Sequence, residues 1–377
     1  MSDPRSDVGA LTRALRTPAS MRRLTLSDWD LLIRQARVAD CLARLGELVE
    51  DEGMGAQLPP QAVRHLQAAQ LVASRQHVEL SFEAQHVREA LAAEGLPLVL
   101  LKGAAYVLGG LKAGKGRMVS DIDLLVPRAR LSDVESALMK AGWLSTTRDP
   151  YDQHYYRTWM HEIPALRHIQ RGSVLDVHHS VVPPSAGYGL DGQKMLDAAL
   201  PLPGMAGVFV LSDVDMVLHS AVHLMHEGEL EMGFRGLVDI DAVVADFAAS
   251  TPDFWSRLSA RAVELNLQRP AFLALRCAQR MLGSEIPQTC LAHLQEASAG
   301  LGPWRLAWLD ALYERGLRPV HPSLDDRFSG LARSVLYARS HWLRMPPHLL
   351  MPHLIRKAGR RFMDGIKANE DADHAQA

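Results

Sequence analysis

Cysteine is scarce in this sequence of 377 residues: three are present, and no two have Cys-x-x-Cys spacing. They are Cys41, Cys277 and Cys290. Neither a disulfide-stabilised fold nor a cysteine-based zinc site is therefore indicated. The sequence also lacks a run of about 20 apolar residues, which a membrane-spanning helix needs, and no apolar stretch follows the charges at its N-terminus. These absences predict a cytoplasmic protein without a membrane span.

An excess of basic residues is absent as well, since the formal net charge at pH 7 is -2. A protein dedicated to binding the nucleic-acid backbone usually carries a clear excess of Lys and Arg. With 47% hydrophobic and 22% charged residues, the composition is that of an ordinary folded protein. The length favours about two or three structural units, which leaves room for an enzyme with accessory domains.

Helical and strand-like patterns divide the chain into three folded parts. Apolar residues recur at helical spacing through residues 1–94. Short apolar runs and small-residue turns, typical of buried strands, occupy residues 95–185, and helical patterns return over residues 186–367. The polar residues 368–377 are predicted to be disordered. The predicted fold class is α+β, with a small mixed-sheet core flanked by N- and C-terminal helical domains.

Strand patterns recur within the central part, separated by turn residues. A helix is expected to start in the small-residue stretch 103–116, and another over residues 131–140. The predicted strands are residues 96–101, 122–126, 155–160, 165–169 and 173–182.

Asp121 and Asp123 are the first candidates for a functional site. Two positions apart on a predicted strand, they project from the same face with α-carbons about 6.5–7 Å apart. Carboxylates held this close repel each other, and a hard divalent cation such as Mg²⁺ relieves the repulsion. Taken alone, the Asp-x-Asp pattern is common, and two solvated acids on an edge strand explain it as well.

Two neighbouring segments favour the functional interpretation. Upstream, the apolar run 98–101 leads directly into Lys102 and Gly103, where a glycine and a following helix N-terminus suit the approach of a phosphate. Downstream, Asp176 lies on another predicted strand and offers a third carboxylate. Together these segments predict a metal and phosphate site.

The combined motifs resemble the polymerase-beta-like nucleotidyltransferase superfamily, and more narrowly a bacterial branch in which Lys-Gly replaces the usual Gly-Ser. The resemblance implies that Asp121, Asp123 and Asp176 bind Mg²⁺, with two ions expected, and that Asp176 is also the general base. The residues that carry it are Leu101-Lys102-Gly103-Ala104, Arg117, Ser120-Asp121-Ile122-Asp123-Leu124-Leu125-Val126 and Leu175-Asp176-Val177-His178.

The resemblance further implies an enzyme that transfers a nucleoside monophosphate from a nucleoside triphosphate to an acceptor hydroxyl and releases pyrophosphate. ATP is the expected triphosphate. For Lys102 and for Arg117 the alternative is a solvated or locally paired side chain. Ser120 is equally suited to capping the end of the strand. A small molecule, a protein side chain and an RNA 3′ end stay open as acceptors, and the oligomeric state stays open too. The nucleotide-binding residues implied are Lys102, Gly103, Ala104, Arg117 and Ser120.

Ala104 keeps a second hypothesis open, because the superfamily usually has a hydroxyl or a glycine at this position. On that hypothesis the chain is a catalytically inactive nucleotide-binding or interaction protein on the same fold. Residues 354–367 form a basic amphipathic pattern that suits either a solvated face or contact with an anionic membrane or RNA.

The remaining features of the sequence are a row of histidines, a pair of opposite charges and two His-Glu dipeptides. His219, His223 and His226 share one face of a predicted helix, which suits helix packing or a metal. Arg235 and Asp239 are four positions apart, which suits a pair on the helix surface; the resemblance implies instead that they close over the nucleotide. The His-Glu dipeptides at 161–162 and 226–227 lack the second His of a zinc protease motif, which excludes that class.

Overall fold

The computed structural model describes residues 9–147, 149–183, 192–226 and 230–344. Within these ranges a seven-stranded mixed sheet is flanked by helices from both ends of the chain, which confirms the predicted α+β class. The basic pattern at 354–367 and the tail predicted at 368–377 lie outside the described residues. Among the helices described, none has both the length and the apolar character required to cross a membrane.

The N-terminal part is helical, as predicted. Thr25 begins its second helix with a capping box, in which Thr25 and Asp28 each accept a hydrogen bond from the other's backbone N–H. Pro60 begins the longest helix, of 33 residues, at a position that needs no N–H donor. The helices are α1 (Ala10–Arg16), α2 (Leu26–Val38), α3 (Leu42–Asp51) and α4 (Pro60–Ala92).

The sheet has the strand order β3-β4-β5-β2-β1-β7-β6. Its central pair, β2 and β5, is parallel, whereas β1 pairs with β2 in antiparallel fashion. The last two strands follow residue 185 and complete the sheet beside β1, while the division of the chain at residues 94 and 185 stays a prediction. The strands are β1 (Leu98–Leu100), β2 (Asp121–Leu125), β3 (Trp143–Ser145), β4 (Leu166–His168), β5 (Val174–His178), β6 (Leu200–Pro201) and β7 (Val208–Val210).

Three helices lie between the strands of the core: α5 (Lys102–Leu108), α6 (Leu131–Lys140) and α7 (Pro150–Trp159). The strand predicted at 155–160 is wrong, because these residues end α7. The aromatic residues there favour a strand locally, but Asp149 accepts a hydrogen bond from the N–H of Tyr151 at 2.9 Å and Pro150 occupies the first helical turn. Both are helix-starting signals, and here they outweigh the strand propensity.

The C-terminal part is a set of helices around α9 (Asp213–His226). Most residues of α9 are buried. Helix α9 packs against α10, α11 and α12 and also contacts α5, so its apolar core is continuous with that of the sheet. The helices are α8 (Gln193–Asp197), α9 (Asp213–His226), α10 (Gly233–Ser250), α11 (Phe254–Glu264), α12 (Gln268–Leu282), α13 (Gln288–Ala297), α14 (Pro303–Gly316) and α15 (Ser329–Arg344).

Asp239 on α10 joins three parts of the chain through buried ion pairs. Its carboxylate accepts hydrogen bonds from Arg44 of α3 and from Nε of Arg117, both at 2.8 Å. One turn earlier, Arg235 pairs with Asp40. Arg235 and Asp239 therefore do not pair with each other, as one hypothesis had it; each instead connects α10 to the N-terminal helical region.

Replacing Asp239 with Ala is expected to destabilise the fold by about 3–5 kcal/mol, because two buried guanidinium groups lose their shared carboxylate. Urea unfolding measures this loss. The matched control is Glu79→Ala, which removes the exposed pair between Arg75 and Glu79 and is expected to cost less than about 1 kcal/mol. Equal losses in the two variants would contradict a central role for Asp239.

Candidate active site

The sheet brings the three predicted carboxylates together. Asp121 and Asp123 project from one face of β2, and Asp176 on β5 is the direct register partner of Asp123. Neighbouring strands lie about 4.8 Å apart, so Asp123 and Asp176 are adjacent on the sheet. All three side chains line one cavity of about 400 Å³, which α5, α9 and α10 enclose.

Asp123 is held ionised by two partners. Nζ of Lys102 donates a hydrogen bond to its Oδ1 at 2.8 Å, and Nε2 of His178 lies 3.0 Å from the same oxygen. Burial by itself raises the pKa of Asp123, but the charge of Lys102 and the contact with His178 outweigh it and hold the pKa well below its usual range. Lys102 is thus a counter-charge inside the site, in a local ion pair.

Asp176 has the opposite electrostatic environment. Burial raises its pKa, and the negative charges of Asp123, Glu162 and Asp121 raise it further, to about 7. The nearby His178 opposes this shift only in part. Near neutral pH, Asp176 therefore exchanges a proton readily, and a cation placed beside it would favour its ionised form.

The turn between β1 and α5 explains the glycine at position 103. Lys102 adopts a left-handed backbone conformation with φ of 44°, which turns the chain from the strand into α5. A side chain at Gly103 would overlap the guanidinium group of Arg117. Since Arg117 is held by Asp239, the glycine leaves room for this buried ion pair on the cavity wall.

The predicted nucleotide-binding residues lie in different surroundings. Lys102, Gly103 and Arg117 line the cavity. Ala104 is 1% exposed and packs in the apolar core, whereas Ser120 is exposed and its hydroxyl lies 3.2 Å from Oδ1 of Asp121. The structure therefore places three of these five residues around the carboxylates.

The histidine stripe of α9 is divided by its surroundings. His223 lines the cavity, and the ring of buried His219 lies 6.5 Å from the ring of His178. Burial, followed by the charge of Lys102, keeps the pKa of His219 well below its usual range. Nδ1 of His226 instead lies 2.9 Å from a carbonyl of its own helix. The three histidines thus do not form one site.

Two neighbours of the carboxylates were not assigned a role from the sequence. His178 lies two positions after Asp176 on β5, and this spacing on a strand was a usable signal. Glu162 lines the cavity from the segment before β4, and a long-range bridge to His178 places it there. No local pattern marks such a contact.

A second opening borders one of these acids. A groove of about 690 Å³ runs between α4 and the first residues of β2 and β5. The exposed side chains of Val78 and Phe82 make part of its wall apolar, and Asp121 borders both this groove and the cavity. Asp121 therefore connects the two openings.

Comparison with known proteins gives one match. A protein-family model described as "Uncharacterised nucleotidyltransferase" matches residues 25–283, which extend from the start of α2 to the end of α12 and include every residue of the cavity. No curated protein and no solved structure matches the chain.

Substituting Asp176 with Asn is expected to stabilise the metal-free protein above pH 7 by about 2–4 kcal/mol. The folded-state pKa of about 7 exceeds the ordinary value of 3.8, so the folded protein binds this proton more tightly than the unfolded chain does. The free energy of unfolding of the wild type consequently falls as pH rises from about 4 to 7. The variant has no proton to lose at this position, so it lacks this fall. Urea unfolding in chelator from pH 5 to 8 tests this, and a gain that does not change with pH would contradict it.

Gly103→Ala is expected to lower stability by about 1–3 kcal/mol through overpacking against Arg117. The matched control is Gly330→Ala, since Gly330 lies in α15 with open space around its α-carbon, where Ala is the better helix former. Thermal unfolding compares the two variants. A Gly103→Ala variant as stable as the wild type would show that Arg117 does not require the glycine.

Proposed function

The chain belongs to the uncharacterised nucleotidyltransferase family, and on that premise we propose that it is a Mg²⁺-dependent enzyme transferring a nucleoside monophosphate from a nucleoside triphosphate to an acceptor hydroxyl. ATP is the proposed donor and pyrophosphate the second product. The observation that carries the proposal is the meeting of Asp121, Asp123 and Asp176 on adjacent strands of one cavity.

The donor set fits Mg²⁺. Carboxylate oxygens are the ligands that this hard cation prefers. The pKa of Asp176 is raised by burial and then by neighbouring negative charge, which an added cation would offset. Asp121, Asp123 and Asp176 would hold the metal, with two ions proposed. When bound, Mg²⁺ neutralises charge on the phosphates and lowers the pKa of the acceptor hydroxyl.

Asp176 is the proposed general base. A group whose pKa lies near the working pH is ionised often enough to accept a proton and basic enough to hold it. The pKa of about 7 is that of the site without metal, and a bound cation would favour the ionised form, in which Asp176 can accept a proton. Asp123, with a pKa well below its usual range, is unsuited to proton transfer and suited to permanent negative charge.

Basic side chains on the cavity wall support binding of a triphosphate there. Lys102, Arg117 and Arg235 all line the cavity. The ammonium group of Lys102 contacts Asp123, and we propose that it turns towards the phosphates once nucleotide is bound. Arg117 is anchored by Asp239, so its positive charge keeps a fixed position and needs little reorganisation during the reaction.

The second opening provides a route for the acceptor. Positive side chains face the cavity, whereas Val78 and Phe82 contribute apolar surface to the groove on the other side of Asp121. We therefore propose that the nucleotide occupies the cavity and that the acceptor hydroxyl approaches along the groove. In this arrangement the two substrates meet at the carboxylates without sharing one entrance.

The test is label transfer from each α-³²P-labelled nucleoside triphosphate, in Mg²⁺ and a cell extract that supplies acceptors. Asp121→Asn and Asp123→Asn are each expected to reduce transfer by about 10²-fold or more, the scale of losing one electrostatic contribution to the transition state. Asp197→Asn is the control, because Asp197 is exposed on α8, and it is expected to keep full activity.

Two results would contradict the proposal. Nucleotide binding without transfer of label or release of pyrophosphate would favour the inactive nucleotide-binding protein that Ala104 suggested. Equal transfer by the wild type and both aspartate variants would place the activity elsewhere.

A further inference from the structure

We propose that His161, Glu162 and His178 form a binding site for a transition-metal ion of the Zn²⁺ type, separate from the carboxylate site. One ligand atom from each residue lies within 4.8 Å of the other two. The residues come from two segments of the chain: the first two precede β4, and the third ends β5. The inference does not depend on the proposed transfer reaction.

Backbone contacts hold the two segments together. The N–H of His179 donates to the carbonyl of His161 at 2.8 Å, and the N–H of Ile163 donates to the carbonyl of Val177 at 3.0 Å. Glu162 and His178 form the bridge between them. The rings of His161 and His178 have centroids 5.2 Å apart and are inclined by 33°. The cluster is therefore built into the fold, next to the end of a central strand.

His178 is the most enclosed of the three ligands. Its side chain is 2% exposed, and its Nε2 faces the carboxylate of Asp123 at 3.0 Å. Because the carboxylate can only accept, Nε2 carries a proton, and Nδ1 is the ring nitrogen left to bind an ion. Among the residues described, Nδ1 has no hydrogen-bond partner.

That nitrogen faces Glu162. Oε2 of Glu162 lies 3.4 Å from Nδ1 of His178. A metal ion between these two atoms would take one ligand from each residue, in place of a proton on Nδ1. A histidine that binds a metal ion through one nitrogen usually donates a hydrogen bond from its other nitrogen to a carboxylate. For His178, that carboxylate is Asp123.

The ligand chemistry separates this site from the carboxylate cluster. Two imidazoles and one carboxylate suit Zn²⁺ and neighbouring transition metals, whereas Mg²⁺ prefers oxygen ligands. Glu162 lines the cavity, so the ion has a path from solvent. Since His178 touches both the ion and Asp123, the ion would fix the orientation of His178 and, through it, that of Asp123. His178 is thus a positioning residue.

The test uses Co²⁺ as a spectroscopic probe on the full-length, chelator-treated protein. One equivalent of Co²⁺ is expected to bind with visible absorption in the presence of saturating Mg²⁺, and Zn²⁺ is expected to displace it. Glu162→Gln and His161→Ala are each expected to weaken Co²⁺ binding by about 10-fold or more. Thermal unfolding without metal checks that both variants fold, and added Zn²⁺ should raise the melting temperature of the wild type but not theirs.

Two control variants locate the ion. His154→Ala removes an exposed histidine of α7, and Asp121→Asn alters the carboxylate cluster; both are expected to bind Co²⁺ as the wild type does. Absence of Co²⁺ binding in the wild type would overturn the inference. Binding that is lost in Asp121→Asn but kept in Glu162→Gln would overturn it too, because the ion would then lie among the aspartates.

Discussion

The carboxylate of Asp239 is the constraint on which the arrangement of this protein depends. It pairs with Arg44 from the N-terminal helices and with Arg117 from the segment before β2, both in buried surroundings. The guanidinium group of Arg117 in turn occupies the space that a side chain at Gly103 would need. The turn at Gly103 directs Lys102 to Asp123. One buried acid thus connects both helical parts to the position of the charge next to the carboxylates.

The three aspartates of the sheet are chemically alike but have different surroundings. Asp123 has a cationic partner and stays ionised, whereas Asp176 faces other acids and has a pKa of about 7. On adjacent strands, the fold therefore holds one aspartate that stays negatively charged and one that exchanges a proton. This difference of environment, more than the identity of the residues, supports distinct roles for them in metal binding and in proton transfer.

His178 connects two sets of ligands with different preferences. On one side lie the aspartate oxygens, which suit Mg²⁺; on the other lie His161 and Glu162, which suit a softer ion. Residues of α9 and α10 line the cavity beside them. In a family of uncharacterised nucleotidyltransferases, such helices are the natural place for substrate preference to vary, because the sheet carries the charged centre and the helices form the remaining walls.

Local patterns in the sequence determined the α+β class, the strands that carry Asp121, Asp123 and Asp176, and the turn at Lys102. These follow from alternation along a strand and from short-range backbone geometry, which neighbouring residues specify. The start of α7 was encoded locally too, by Asp149 and Pro150, although the aromatic residues that follow favour a strand. Only the tertiary structure decided that Asp239 pairs with Arg44 and Arg117 and that Glu162 reaches His178. Ion pairs between residues 122 and 195 positions apart depend on how whole elements pack. No local spacing encodes either outcome.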